Sequence, residues 1–222
     1  MKKRNKIIIL PFAFLCIALG IAIIYLSSAE GLNSENNQEV VFDNEKNIDY
    51  IQAGIQLNDL LTKKKDNTIV VKAKDFNITQ YEVDIKKIFY QSSGSKDPLT
   101  DAINECIRLK SLYYEAEKQG FTATHNEIEN DINKTKEMLK NCEDNELKQY
   151  LNQFDDEELF WDYNREIYSI NLTIKKYLTD NKTQFLKENN LDDTAESQEK
   201  WLESESNLEK ELINAQHAEI IK

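Results

Sequence analysis

In FNITQYEVDI, Phe76 to Ile85, Thr79 stands three residues ahead of Glu82, and TATHNEIENDI repeats that spacing at Thr124 and Glu127. A hydroxyl beside a carboxylate could take part in proton transfer, but nucleophilic chemistry also needs a base within hydrogen-bond reach. No His, Lys or Cys completes such a relay at the first pair. The same spacing makes a capping box, in which the Thr hydroxyl and the Glu carboxylate each satisfy an orphan backbone N–H. Ile78 and Val83 flank it as a hydrophobic staple. Both pairs therefore read as helix starts.

The other chemistry-bearing types are sparse. His125 and His217, the only two histidines, match no metal or triad spacing. Cys16 lies in an apolar run, behind Phe14 and Leu15, which are too bulky for a lipobox. Cys106 and Cys142 fall on helical apolar stripes, where a thiol behaves as a small hydrophobe; a disulfide between them is the alternative. No phosphate loop, metal spacing or nucleophile with its base occurs. The expectation is a non-enzyme with no catalytic residue, no metal and no cofactor.

The caps locate the elements. Asp97 as cap, Pro98 at the first helical position and Gly120 past the end delimit a helix whose stripe is Ala102, Cys106, Leu109, Tyr113 and Ala116. The helix begun at Thr124 carries Ile128, Ile132, Thr135, Leu139 and Cys142. A short segment comes next, with Leu147, Leu151 and Phe154 on one side. Asp155 with Glu158 then caps the longest helix, whose stripe is Phe160, Tyr163, Ile167, Ile170, Ile174 and Tyr177. Residues 179–199 turn polar before a last amphipathic helix with Trp201, Leu208 and Leu212. TIVVKAKD, Thr68 to Asp75, alternates as a strand, and a strand needs a partner for its backbone groups. The only other β-like run is HAEIIK at residues 217–222.

With five Gly, two Pro and 31% charged residues in 222, the composition favours long helices. The fold class expected is mainly α: a helical bundle with a small two-stranded sheet of N- and C-terminal strands, plus one N-terminal transmembrane helix. MKKRNK precedes twenty uncharged residues, Ile7 to Leu26, enough to cross a hydrocarbon core of about 30 Å. The basic flank places the chain beyond Leu26 outside the cytoplasm. Residues 1–29 read as a retained anchor because the run exceeds an ordinary signal core; Ser27-Ser28-Ala29 leaves a cleaved signal peptide, and so a secreted protein, as the alternative. Residues 30–67 read as an acidic tether with a short helix interrupted by Gly54, and 68–222 as the folded body. The formal net charge is −12, and the four cations before Glu30 leave −16 on the remainder. Such a body repels phosphate backbones, so nucleic acid is not an expected partner.

The order of elements, with the phrases ITQYEVD, YYEAEKQGF, TATHNEIENDI and KWLE and a terminal AEII strand, resembles the N-terminal chaperone domain of the SurA and PrsA foldases. The likeness spans Val70 to about Leu178 and Trp201 to Lys222. It implies pairing of Ile69–Ala73 with His217–Ile221. It also implies the holding of unfolded or partly folded polypeptide outside the cytoplasm. The family usually carries a parvulin prolyl isomerase between the long helix and the returning one. Some twenty residues stand there in this chain, too few for an independent domain, so no catalytic residue carries over.

A holding protein needs apolar surface left over from its own core. Trp161, Tyr168 and Leu172 form a second stripe on the longest helix, and Phe89, Tyr90 and Tyr114 are further client-binding candidates. The competing reading buries that stripe against the Trp201 helix. A non-catalytic adaptor recruiting one partner in a membrane or envelope assembly is the rival function.

Overall fold

Local caps set the helix boundaries. In the computed structural model, which describes residues 49–140 and 145–221, Thr79 Oγ1 accepts from the Glu82 N–H and Glu82 Oε2 accepts from the Thr79 N–H at 2.8 Å. The staple residues Ile78 and Val83 are buried. Asp97 caps the next helix with Pro98 in its first turn, and Gly120 lies just past its end at φ +87°. Thr124 and Glu127 form the second box, with the Thr124 N–H donating to Glu127 at 2.7 Å. The anchor at 7–26, most of the tether and Cys142 lie outside the described residues.

Seven helices and three strands occur among those residues. They are α1 (Tyr50–Thr62), β1 (Ile69–Lys72), β2 (Asn77–Thr79), α2 (Gln80–Ser92), α3 (Pro98–Lys118), α4 (His125–Lys140), α5 (Asn145–Leu151), α6 (Glu157–Glu188), α7 (Ala195–Ala215) and β3 (Glu219–Ile220). The mainly helical expectation holds. The sheet is antiparallel with order β2-β1-β3, and β3 pairs with β1 through Val71–Ile220 and Lys72–Glu219. The strand at Ile69–Lys72 and the one near the C-terminus therefore pair as expected, but the sheet has three strands rather than two. Asn77–Thr79, of which Ile78 is read as a staple and Thr79 as a cap, also forms a short strand on the other edge of β1.

Three further expectations are corrected. Asp156, not Asp155, caps α6, accepting from the Glu158 N–H at 2.9 Å; Asp155 instead accepts from Asn58 Nδ2 at 3.2 Å and so ties α6's start to α1. The polar stretch from Thr179 continues α6 to Glu188, because nothing in TDNKTQFLKE breaks a helix and Phe185 packs on Trp201 with ring centroids 5.7 Å apart. Gly54 does not interrupt α1. A Cβ there would lie 2.9 Å from the Tyr150 carbonyl oxygen, so glycine permits close approach of the α5 backbone.

The apolar interior forms three connected groups. The largest joins α1, α2, α4, α5 and α6 through Leu57, Phe89, Ile132, Tyr150, Phe160 and Trp161. The body thus takes in α1, residues before Thr68. A second sets Val71, Phe76 and Ile78 of the sheet region against Val83, Ala102 and Cys106. A third packs Leu112 and Ala116 of α3 on Ile174 and Tyr177 of α6, with Leu208 and Leu212 of α7 against them. Every group includes residues of α2, α3 or α6, and these helices frame the cleft that holds the candidate site.

Candidate functional site

Most of the six client-binding candidates are core residues. Trp161 is 3% exposed, Tyr168 4% and Leu172 8%, so the second stripe of α6 is consumed by packing. Its cover is not the Trp201 helix. Lys136 of α4 places its ammonium 4.7 Å from the Trp161 ring, and Tyr168 hydrogen-bonds Thr135 of α4. Helix α4 presents its own apolar stripe to α6, which satisfies both helices at once. Phe89 is buried in the largest core group, and Tyr90 is half-buried against the sheet-side group. Only Tyr114 remains exposed, stacked on Phe76 with centroids 5.5 Å apart.

Tyr114 stands at the rim of a cleft of about 620 Å³ between α2, α3 and α6. The cleft exists because two stripe positions of α6, Ile167 and Ile170, are only half-buried, although Phe160, Tyr163, Ile174 and Tyr177 are covered. Facing them are Ile85 of α2 and Leu109 of α3, with Tyr81, Tyr113 and Tyr163 completing largely apolar walls. A cleft of this size and lining suits a ligand's apolar side chains more than a polar metabolite.

Polar groups fix its edges. Lys110 of α3 bridges to Glu82 of the capping box at 2.7 Å and donates to the Asn77 carbonyl at 2.6 Å. At the far end Lys65, between α1 and β1, lies 4.9 Å from the Tyr81 ring centroid and 3.7 Å from Glu166. The α2 wall holds Lys86, whose side chain is withdrawn from water; burial pushes its ammonium below the ordinary lysine value, against the opposing pull of Glu105. Burial also pushes the Cys106 thiol up to about 12, so it stays neutral, and its Sγ lies 3.6 Å from the Glu82 carbonyl oxygen. It is no nucleophile in that state. The disulfide alternative involves Cys142 and lies outside the described residues.

His125 and His217 are both exposed and on separate elements. Among the described residues no cluster of His, Cys, Asp and Glu could hold a metal ion. Likewise, no helix there is long and apolar enough to cross a membrane. Four of the cleft's apolar lining residues, Ile85, Leu109, Ile167 and Ile170, were not singled out in sequence as a binding surface. The stripe spacing of Leu109, Ile167 and Ile170 signalled an inward-facing side but could not show where the facing helix falls short of Ile167 and Ile170. Compared with known protein families, with curated proteins and with solved structures, the chain finds no match.

Proposed function

We propose that this protein is a chaperone-like holding factor, tethered to a membrane through residues 7–26 and acting outside the cytoplasm. It binds unfolded or partly folded polypeptide reversibly and performs no prolyl isomerisation. The observation that carries the reading is the apolar cleft between α2, α3 and α6, whose lining includes the exposed Tyr114. Tyrosines at a rim offer large contact area with few rotatable bonds and tolerate varied partners. The paired β1 and β3, closing a helical body, support the reading as well, because the foldase resemblance implied that closure.

The test measures aggregation of a heat-denatured client protein in the presence of the full chain. Wild type should suppress light scattering at several-fold molar excess. Ile167→Glu with Ile170→Glu, at half-buried cleft positions, should abolish suppression, whereas Leu202→Glu, on an exposed position of α7, should retain it. Absence of suppression by folded wild type would favour the adaptor reading, in which one partner occupies the cleft.

A further inference from the structure

We infer that the cleft selects apolar peptide segments that also carry lysine or arginine, whose charge it receives along the α6 side of its rim. This rests on the peptide-binding reading and names its substrate class. On the α2 and α3 walls every cation is engaged. Lys86 is buried with Glu105 acting on it. Arg108 lies between Glu105 at 2.9 Å and Glu209 at 2.7 Å. Lys110 is held by Glu82 at 2.7 Å and by the Asn77 carbonyl. These three cations and three carboxylates balance, so they favour neither an acidic nor a basic ligand.

The α6 wall differs. Arg165, part of the lining, is surrounded by three carboxylates: Glu129 at 2.8 Å, Glu158 at 2.7 Å and Asp162 at 2.6 Å. Glu166, also in the lining, adds a fourth, which Lys65 meets at 3.7 Å, beyond ordinary hydrogen-bond range. Counting Lys65, and Lys136 of α4, whose charge also reaches Glu129, four carboxylates stand against three cations. Glu158, Asp162, Glu166 and Ile170 follow one another at four-residue steps and so form one row along the helix. The three acidic side chains of that row are 61%, 67% and 66% exposed, and Ile170 ends it inside the cleft. A segment that seats apolar side chains on Ile167 and Ile170 therefore brings a flanking cation alongside Glu166. Lys65 shows how a cation sits there, facing Glu166 with its ammonium 4.9 Å from the Tyr81 ring centroid, so that a carboxylate and an aromatic face act together.

The carboxylates alone make no site; the apolar cleft supplies the hold and the acidic row supplies the choice. Exposed charge pairs each contribute little, so the preference is modest and salt weakens it: the screening length falls from about 8 Å at physiological ionic strength to about 3 Å at 1 M. The chain's net charge of −12 also draws cations from a distance, and that general pull must be told from the local one. Helix α7 provides the comparison. Glu196, Glu199 and Glu203 are exposed there. Trp201, among them, packs on Phe185, which lies fifteen positions along α6 from Ile170, or about 22 Å at 1.5 Å per residue.

The test uses the full chain in neutral detergent and three dansyl-labelled peptides sharing one apolar core, flanked on each side by Lys, Gln or Glu. At low ionic strength the Lys peptide should bind about three- to tenfold more tightly than the Gln peptide, as two exposed contacts imply, and the Glu peptide should bind most weakly. Glu158→Gln with Asp162→Asn and Glu166→Gln leaves Arg165 its Glu129 partner; it should bring the Lys and Gln peptides within about twofold of each other and leave the Gln peptide's own affinity unchanged. Glu196→Gln with Glu199→Gln and Glu203→Gln removes the same charge from α7 and should keep the Lys preference. Raising salt to about 1 M with wild type, which needs no variant, should shrink that preference to within about twofold. Equal binding of the three peptides at low salt overturns the inference. So does a Lys preference that survives the α6 substitutions, that the α7 substitutions abolish equally, or that persists undiminished in high salt; in each case the peptide-binding reading stands. Failure of every peptide to bind overturns both.

Discussion

Gln216, in the turn between α7 and β3, is expected to fasten the returning strand. It is 7% exposed, and its amide faces Asp75 twice: Oε1 accepts from the Asp75 N–H at 3.1 Å, and Nε2 donates to Asp75 Oδ2 at 3.0 Å. Its main-chain oxygen also accepts from the Lys74 N–H at 2.9 Å. Gln216→Ala keeps the main-chain bond and removes both side-chain bonds. A neutral hydrogen bond contributes about 1 kcal/mol net and one to a carboxylate somewhat more, so the loss should be about 2 kcal/mol, taking the low end because Asp75 is exposed. For a chain of this size that corresponds to a fall in Tm of roughly 4–8 °C. Urea and thermal unfolding of the full chain, monitored by helical circular dichroism, measure it. Asn214→Ala, at an exposed position near the end of α7, should shift stability by less than about 0.5 kcal/mol. Gln216→Glu should be worse than Ala at neutral pH, where two carboxylates face each other, and should recover as acid protonates them. A Gln216→Ala protein as stable as wild type would refute the assignment of this residue as the fastener.

Other contacts give further expected outcomes. Thr79→Ala removes one half of the capping box at α2 and should cost about 1 kcal/mol in urea unfolding. Leu112→Ala, at a fully buried α3 position, should cost about 2–5 kcal/mol. Gly54→Ala gains up to about 1 kcal/mol of helix propensity but drives a Cβ to 2.9 Å from a backbone oxygen, so overpacking of about 1–3 kcal/mol should make it net destabilising. Glu127 accepts from Lys176 at 2.7 Å and from the Thr124 N–H, which hold its pKa down at about 2 against an ordinary 4.5. A depressed carboxylate stabilises the fold fully above its unfolded pKa and loses that contribution as pH falls through the folded one. Glu127→Gln should therefore flatten part of the stability loss that wild type shows between pH 4.5 and 2 in acid titrations of the unfolding midpoint.

Short-range signals were legible in the sequence, and contacts between distant elements mostly were not. The boxes at Thr79 and Thr124, and Asp97 with Pro98 and Gly120, could be read because each involves residues within one or two turns. The pairing of the segment Ile69–Ala73 with His217–Ile221 was reached by the strand's need for a partner together with the foldase resemblance, whereas its register, Val71 opposite Ile220, was not. Strand β2 was hidden because two of its three residues, Ile78 and Thr79, also serve as staple and cap. The extension of α6 through Thr183 and Gln184 was hidden because solvent-facing polar residues carry no periodic signal. Trp161 and Tyr168 announced an apolar face but not its cover, which α4 supplies through Thr135 and Lys136. The cleft at Ile167 and Ile170 depends on how far apart three helices sit, which no local spacing encodes.

The ladder between β1 and β3 joins residues separated by roughly 150 positions, from Val71 to Ile220. At a synthesis rate of about 5–20 residues per second, β1 must wait roughly 7–30 s for its second neighbour to emerge. During that interval β2 can shield one side of β1, and the other side presents bare amides and carbonyls to any passing strand. The nascent protein is thus, for some seconds, itself a candidate for the kind of protection proposed for its clients.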